Sequence, residues 1–159
     1  MRVTIDRVEA SVRAVEDPEL PHVTLGDLGI VRSVDLEGGV VRVVLTPTFV
    51  GCPALEQIKD DVGEAIEILG LEPRIETTLS PPWSSDWITE EGREKLRRAG
   101  IAPPPRLGDQ EPLVALDRPV RCPRCGAVAE RLSEFGATAC KAPYRCTTCS
   151  EPFEGFKPL

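Results

Sequence analysis

Four cysteines in two C-x-x-C pairs, Cys122-Pro-Arg-Cys125 and Cys146-Thr-Thr-Cys149, stand twenty residues apart near the C-terminus. Each C-x-x-C turn aims two sulfurs at one point, and a hairpin between two such turns brings four sulfurs to tetrahedral corners. That is the ligand set of a structural zinc ribbon, with each sulfur about 2.3 Å from the metal. Cys140 is a fifth cysteine close by in sequence. It is either a compact buried residue or a spare ligand that lets the site hold an iron–sulfur cluster instead of zinc. After Cys149 stands Ser150, where a knuckle turn favours glycine, so strain is expected there.

Cys52 is the second residue with chemistry in it. It lies in Thr46-Pro-Thr-Phe-Val-Gly-Cys52-Pro53, between a valine-rich strand and an amphipathic helix. Pro53 suits the first helical position, which makes Cys52 the expected N-cap. Unpaired N–H groups and the positive end of the helix dipole there lower a thiol's pKa and favour thiolate. Such a thiolate serves as a nucleophile or a soft-metal ligand; a small buried cap residue is the plainer alternative. The single histidine, His22, follows Pro21 in a loop, and nothing in its spacing demands a Cys–His dyad. Trp83 and Trp87 flank Asp86 in a chain with 4% aromatics. They either cap a sheet or domain junction, or offer an aromatic platform to a partner.

The elements that must position these residues follow from periodicity. Ile5, Val8, Val12 and Val15 recur at helical spacing behind Thr4, and Pro18 and Pro21 end that helix. Two strands, 30–36 and 40–46, join through Gly38-Gly39 as a hairpin. Val41, Val43 and Leu45 share one face, with Arg42 and Thr46 on the other. Leu55, Ile58, Val62, Ile66 and Leu69 mark a helix closed by Gly70, and Ile75, Thr77 and Leu79 alternate as a third strand. Thr89 caps a helix over 90–99 with acids first and arginines last. The fold class is α+β: an α-β-β-α-β-α mixed-sheet domain over residues 1–101, followed by a four-cysteine ribbon over 118–159. Between them, residues 102–117 form a proline-rich spacer that includes Pro103, Pro104 and Pro105.

The formal net charge of −7 is unevenly shared, with −8 on residues 1–101 and +1 on 102–159. A chain this acidic is a poor general binder of phosphate backbones, so a nucleic-acid partner is disfavoured. No apolar run is long enough to span a membrane, and the first residues lack a secretory leader's apolar stretch. C-x-x-C pairs without an export signal point to metal or redox ligands in the cytosol.

The combination of motifs resembles a known family. Asp17-Pro18-Glu19, Asp27-Leu28-Gly29-Ile30 and Gly51-Cys52-Pro53 resemble the small domain of iron–sulfur cluster assembly proteins. Pro82-Trp83-Ser-Ser-Asp86-Trp87, Ser133-Glu134-Phe135-Gly136 and the cysteine pairs resemble one branch more narrowly, the PaaD-type component of phenylacetyl-CoA epoxidases. The resemblance implies an accessory, non-catalytic part in aerobic phenylacetate breakdown, aiding iron or cluster insertion into an oxygenase or reductase component. It implies a cluster- or iron-handling set of Cys52, Asp17, Glu19 and Asp27, zinc at Cys122, Cys125, Cys146 and Cys149, and a transient iron–sulfur cluster at Cys52. One cysteine cannot hold a cluster alone, so a homodimer or a client residue must complete the ligation. The alternative is a docking protein whose cysteines only hold the ribbon together. No E-x-x-H pair or G-x-G-x-x-G element is present for a di-iron or nucleotide site.

Overall fold

The computed structural model describes residues 3–108 and 119–158. The chain divides into two compact units, Met1–Trp83 and Ser84–Leu159.

In the first unit α1 (Ile5–Arg13) buries Val8 and Val12, two members of the expected apolar stripe. The strands β1 (Val31–Glu37) and β2 (Val40–Leu45) pair antiparallel, with Glu37 opposite Val40. Both central residues of that hairpin, Gly38 and Gly39, have positive φ, 58° and 89°, as a two-residue turn of this hand requires. A short helix that the periodicity does not signal, α2 (Leu25–Leu28), sits between α1 and β1. After α3 (Leu55–Glu67) the chain returns as β3 (Glu72–Thr77), parallel to β2, so the sheet is mixed with order β1-β2-β3. Val41, Val43 and Leu45 are fully buried as the alternation predicts, while Arg42 on the other face forks onto Glu76 at 2.7 and 3.0 Å. Thr46, expected beside Arg42 on the outer face, lies past the strand end and is fully buried. Helix α1 packs on β1 and on α3, and α3 on β3.

Helix α2 is built by a capping box. The Asp27 amide donates to Thr24 Oγ1 at 3.1 Å, and the Thr24 amide donates back to Asp27 Oδ2 at 2.9 Å. Gly29, at φ 67°, ends it. The Leu28 carbonyl accepts the buried indole N–H of Trp83 at 2.7 Å, tying the end of the unit to this turn.

The second unit opens with a single 3-10 turn, Ser85–Trp87, and α4 (Glu90–Arg98), whose Thr89 cap accepts the Gly92 amide at 3.0 Å. Four short strands follow: β4 (Ile101–Ala102), β5 (Ala129–Arg131), β6 (Lys141–Cys146) and β7 (Pro152–Phe156). Their order is β4-β7-β6-β5, antiparallel except where β4 runs parallel to β7. The composition predicts a first domain running to residue 101, yet the first compact unit ends at Trp83. The reason is pairing. β4 bonds to β7, and Arg93 on α4 donates to the carbonyls of Pro104 and, at 3.0 Å, Ser85. Of the expected spacer, Ala102 belongs to β4, and the Leu107 and Gly108 amides donate to the Asp86 carboxylate, each at 2.7 Å. Residues 109–117 of it lie outside the described residues. One apolar cluster here is Ala102, Val120, Ala142 and Tyr144, with Phe153 stacked on Tyr144 at 5.8 Å, and Ile88, Leu96, Ile101 and Phe156 are buried as well.

Trp83→Phe keeps an aromatic ring but leaves the Leu28 carbonyl without its indole donor. Chemical denaturation followed by circular dichroism is expected to show a loss of about 1–3 kcal/mol.

Candidate metal centre and the cysteine loop

Two knuckles of the same construction carry the C-x-x-C pairs. In the first, the Gly126 amide donates to the Cys122 carbonyl at 2.9 Å and the Cys122 amide to the Ala127 carbonyl at 2.8 Å. In the second, the Ser150 amide donates to the Cys146 carbonyl at 3.2 Å and the Cys146 amide to the Glu151 carbonyl at 3.0 Å. Both turns close through a left-handed residue, Gly126 at φ 76° and Ser150 at φ 60°. The strain expected at Ser150 is present: a side chain occupies a conformation that glycine adopts freely. The knuckles are held together by Thr147, whose amide and hydroxyl both donate to the Val128 carbonyl, at 3.2 and 2.8 Å.

This frame brings one sulfur each from Cys122, Cys125, Cys146 and Cys149 within 4.8 Å of one another. Cys122 Sγ lies 3.8 Å from Cys149 Sγ, and Cys125 Sγ 3.4 Å from Cys146 Sγ. Tetrahedral ligands at a zinc–sulfur distance of about 2.3 Å stand about 3.8 Å apart, so the donor set fits that ion in kind and spacing. The amides of Thr148 and Cys149 point at Cys146 Sγ, each at 3.4 Å, and act as an outer shell that stabilises thiolate. The Cys149 N–H is the largest influence drawing the Cys146 pKa down, to about 6, with Thr148 adding to it against burial. For Cys149 the Glu151 N–H lowers the pKa, but the Cys146 thiolate, burial and the other two sulfurs outweigh it and push it up to about 12. Packed this closely, the four thiols resist joint ionisation unless a cation joins them.

Cys140 is not part of that group. It is buried in the turn just before β6, its sulfur 3.2 Å from Thr138 Oγ1, and its carbonyl accepts the Lys157 amide. Trp83 is buried in the first unit and committed to Leu28, Asp86 is occupied by two amides, and Trp87 is half-buried.

In the first unit the expectation for Cys52 needs two corrections. The helix cap is Ala54, at φ −79° and ψ −7°, because residues 53–54 form a turn before α3 begins at Leu55. The thiol pKa is raised, not lowered. Burial is the largest cause, the Ala54 and Leu55 amides partly offset it, and the negative fields of Glu19 and Asp17 raise it further. Asp17 and Glu19 are thus close enough to act on Cys52, and Asp17 Oδ1 fixes its own turn by accepting the Glu19 amide at 2.8 Å. Asp27 is spent differently, buried in the capping box of α2. Beside Cys52 the loop exposes Phe49 and Val50, and Thr46 at its root buries a hydroxyl with no partner among the described residues. Sequence reasoning passes over these neighbours; an apolar pair at a loop tip is the available signal. His22 is exposed in a left-handed turn, 4.0 Å from Glu16.

Two family models match the chain. Residues 5–76 match an iron–sulfur cluster assembly protein, and residues 108–157 match a PaaD zinc beta ribbon domain. A protein of Escherichia coli strain K12, named provisionally as the D component of 1,2-phenylacetyl-CoA epoxidase, is 43% identical over 96% of this chain and 92% of its own length. An "Fe-S protein maturation auxiliary factor" of Porphyromonas gingivalis is 35% identical over 58% of this chain and 90% of its own. A solved domain of unknown function, DUF59 from Bacillus anthracis, superposes with a TM-score of 0.54 at 28% identity, covering 58% of this chain and 90% of that one.

The two knuckles differ chiefly in their closing residue, and that asymmetry can be tested. Ser150→Gly is expected to stabilise the metal-loaded ribbon by about 1 kcal/mol, and Gly126→Ala to destabilise it by about 1–2 kcal/mol. Thermal melting of both variants with metal bound checks the pair.

Proposed function

The chain belongs to the PaaD family of phenylacetyl-CoA epoxidase components, and on that premise we propose that it is an accessory protein that helps iron or an iron–sulfur cluster reach a client. The clients on this reading are the oxygenase or reductase components of the epoxidase. The observation that carries the proposal is the setting of Cys52, a half-buried thiol in the negative fields of Asp17 and Glu19, on the unit that matches the iron–sulfur cluster assembly model. Burial and two carboxylates hold the thiol protonated when no cation is near. The same carboxylates favour an arriving cation, and soft sulfur suits iron. Loading exchanges the thiol proton for a metal–sulfur bond, and release returns the proton. One sulfur donor permits such exchange, with a client residue or a second copy of the chain completing the ligation. Asp27 contributes by fixing the α2 turn.

The ribbon's four thiolates hold one zinc ion, closing the site against reaction chemistry and supplying folding free energy to the second unit. The matching Sγ spacings and the amides aimed at Cys146 support this assignment.

Metal and sulfide content after anaerobic purification tests both sites. Wild type is expected to carry about one zinc per chain, with sub-stoichiometric iron and sulfide. Cys52→Ser is expected to keep the zinc and lose the iron and sulfide. Zinc alone in both proteins would leave a docking protein without cluster chemistry. The raised thiol pKa gives a second check. With the ribbon cysteines protected by metal, alkylation of Cys52 should be slow at neutral pH and accelerate as pH rises through the raised value. Asp17→Asn combined with Glu19→Gln should move that profile to lower pH, since both carboxylates raise the pKa, while leaving the larger effect of burial.

A further inference from the structure

We propose that the second unit carries a cationic groove that docks an acidic peptide segment of a partner protein. Two adjoining clefts of about 480 and 400 Å³ share Arg97 and Pro123, so together they form one trough beside the first cysteine knuckle. Arg93 and Arg121 line the larger cleft, whose described lining holds no carboxylate. Arg98 and Arg124 line the smaller, where the one carboxylate is Glu151, paired with Arg124 at 2.9 Å. Glu94 pairs with Arg97 and Arg98 at 3.2 and 3.4 Å, and Glu90 lies 3.8 Å from Arg97. Five guanidinia thus stand against three carboxylates, and an excess of positive charge remains in a protein whose net charge is −7.

Arg93 supplies the independent observation. It is 4% exposed, and although its terminal nitrogens donate to Pro104 and Ser85, its buried Nε–H has no partner among the described residues. Buried N–H groups are almost always satisfied, so this one calls for an acceptor. The walls around it cannot provide a competing donor array, because Pro103, Pro104, Pro105, Pro119 and Pro123 carry no N–H. An occupant therefore meets guanidinium donors over apolar rings, which suits carboxylates on a chain with apolar stems. Two clefts joined through Arg97 and Pro123 favour an extended segment over a single small anion. Polyphosphate fits less well: Phe153 is the one aromatic ring in the two described linings, so bases find little to stack on. This surface is independent of cluster handling at Cys52, so either reading can fail without the other.

The test uses the full metal-loaded chain and a fluorescently labelled hexaglutamate peptide, with a fifteen-nucleotide oligothymidylate as the competing probe. Anisotropy should show saturable hexaglutamate binding that weakens with salt. Arg97→Gln with Arg121→Gln should weaken it on the order of tenfold. Arg121→Gln alone should weaken it more than Arg145→Gln, which removes the same charge outside the groove. The Arg93 Nε–H resonance should shift on titration with hexaglutamate. Absent binding, equal affinities for the Arg121→Gln and Arg145→Gln variants, an unmoved Arg93 resonance, or tighter binding of the oligothymidylate would each overturn the proposal.

Discussion

Closing four sulfurs onto one centre is the constraint on which the ribbon strands turn, because the two knuckles end β6 and adjoin β5. The apolar cluster beside the knuckles, Ala102, Val120, Ala142 and Tyr144, includes two alanines, while the larger buried side chains of the unit are Ile88, Leu96, Ile101 and Phe156. Ligation fixes both knuckles at once. With them are fixed the ends of β5 and β6, through Cys122–Ala127, Cys146–Glu151 and Thr147–Val128. The Lys141–Glu154 ion pair at 2.8 Å, with Lys141 almost fully buried, then fastens β6 to β7. A buried pair of this kind adds more to register than to net stability. The sulfur cluster and the sheet share these strand ends, so ligation and strand pairing support each other.

Cys52 obeys the opposite logic. The ribbon sulfurs gather amide donors that make thiolate easier to form at Cys146, whereas Cys52 sits where burial and carboxylates make it harder. A ligand of the first kind suits permanent retention. A ligand of the second kind suits exchange, because each release is helped by reprotonation. Five of the six cysteines follow ribbon geometry or packing, and the sixth stands on a loop with its own electrostatics.

Much of this is legible in the sequence, and the misses share a cause. The C-x-x-C spacing predicts the sulfur group, Gly38-Gly39 predicts the hairpin, the 3.6-residue repeats predict α1 and α3, and the Thr89 cap with its charge order predicts α4, because each of these is a local signal. Alternation alone carries the third strand on to Leu79, which is 52% exposed; its true range is set by parallel pairing with β2. β4 is two residues long and exists only because Glu154 and Gly155 pair with it, so no local pattern announces it. The direction of the Cys52 pKa is hidden for the same reason. Its nearest charges, Asp17 and Glu19, arrive from more than thirty residues away in the chain. The capping box at Thr24 and Asp27 is the exception. It is local and readable, and it engages Oδ2 of the carboxylate that the resemblance assigns to metal handling.

Net charge misleads for a related reason. An overall −7 suggests a molecule that repels anions everywhere, yet salt at physiological strength screens exposed charges beyond about 8 Å. At that range a ligand senses the residues around it and little of the total. The first unit holds 7 basic and 15 acidic side chains, the second 12 and 11, so the acidity of the chain is almost wholly a property of the first. Cys52 lies among carboxylates in the unit that concentrates them, and the arginine trough lies in the unit that is close to neutral. Attraction for a cationic cargo and attraction for an anionic partner can then coexist in one acidic chain, because each is decided within a Debye length of its own site.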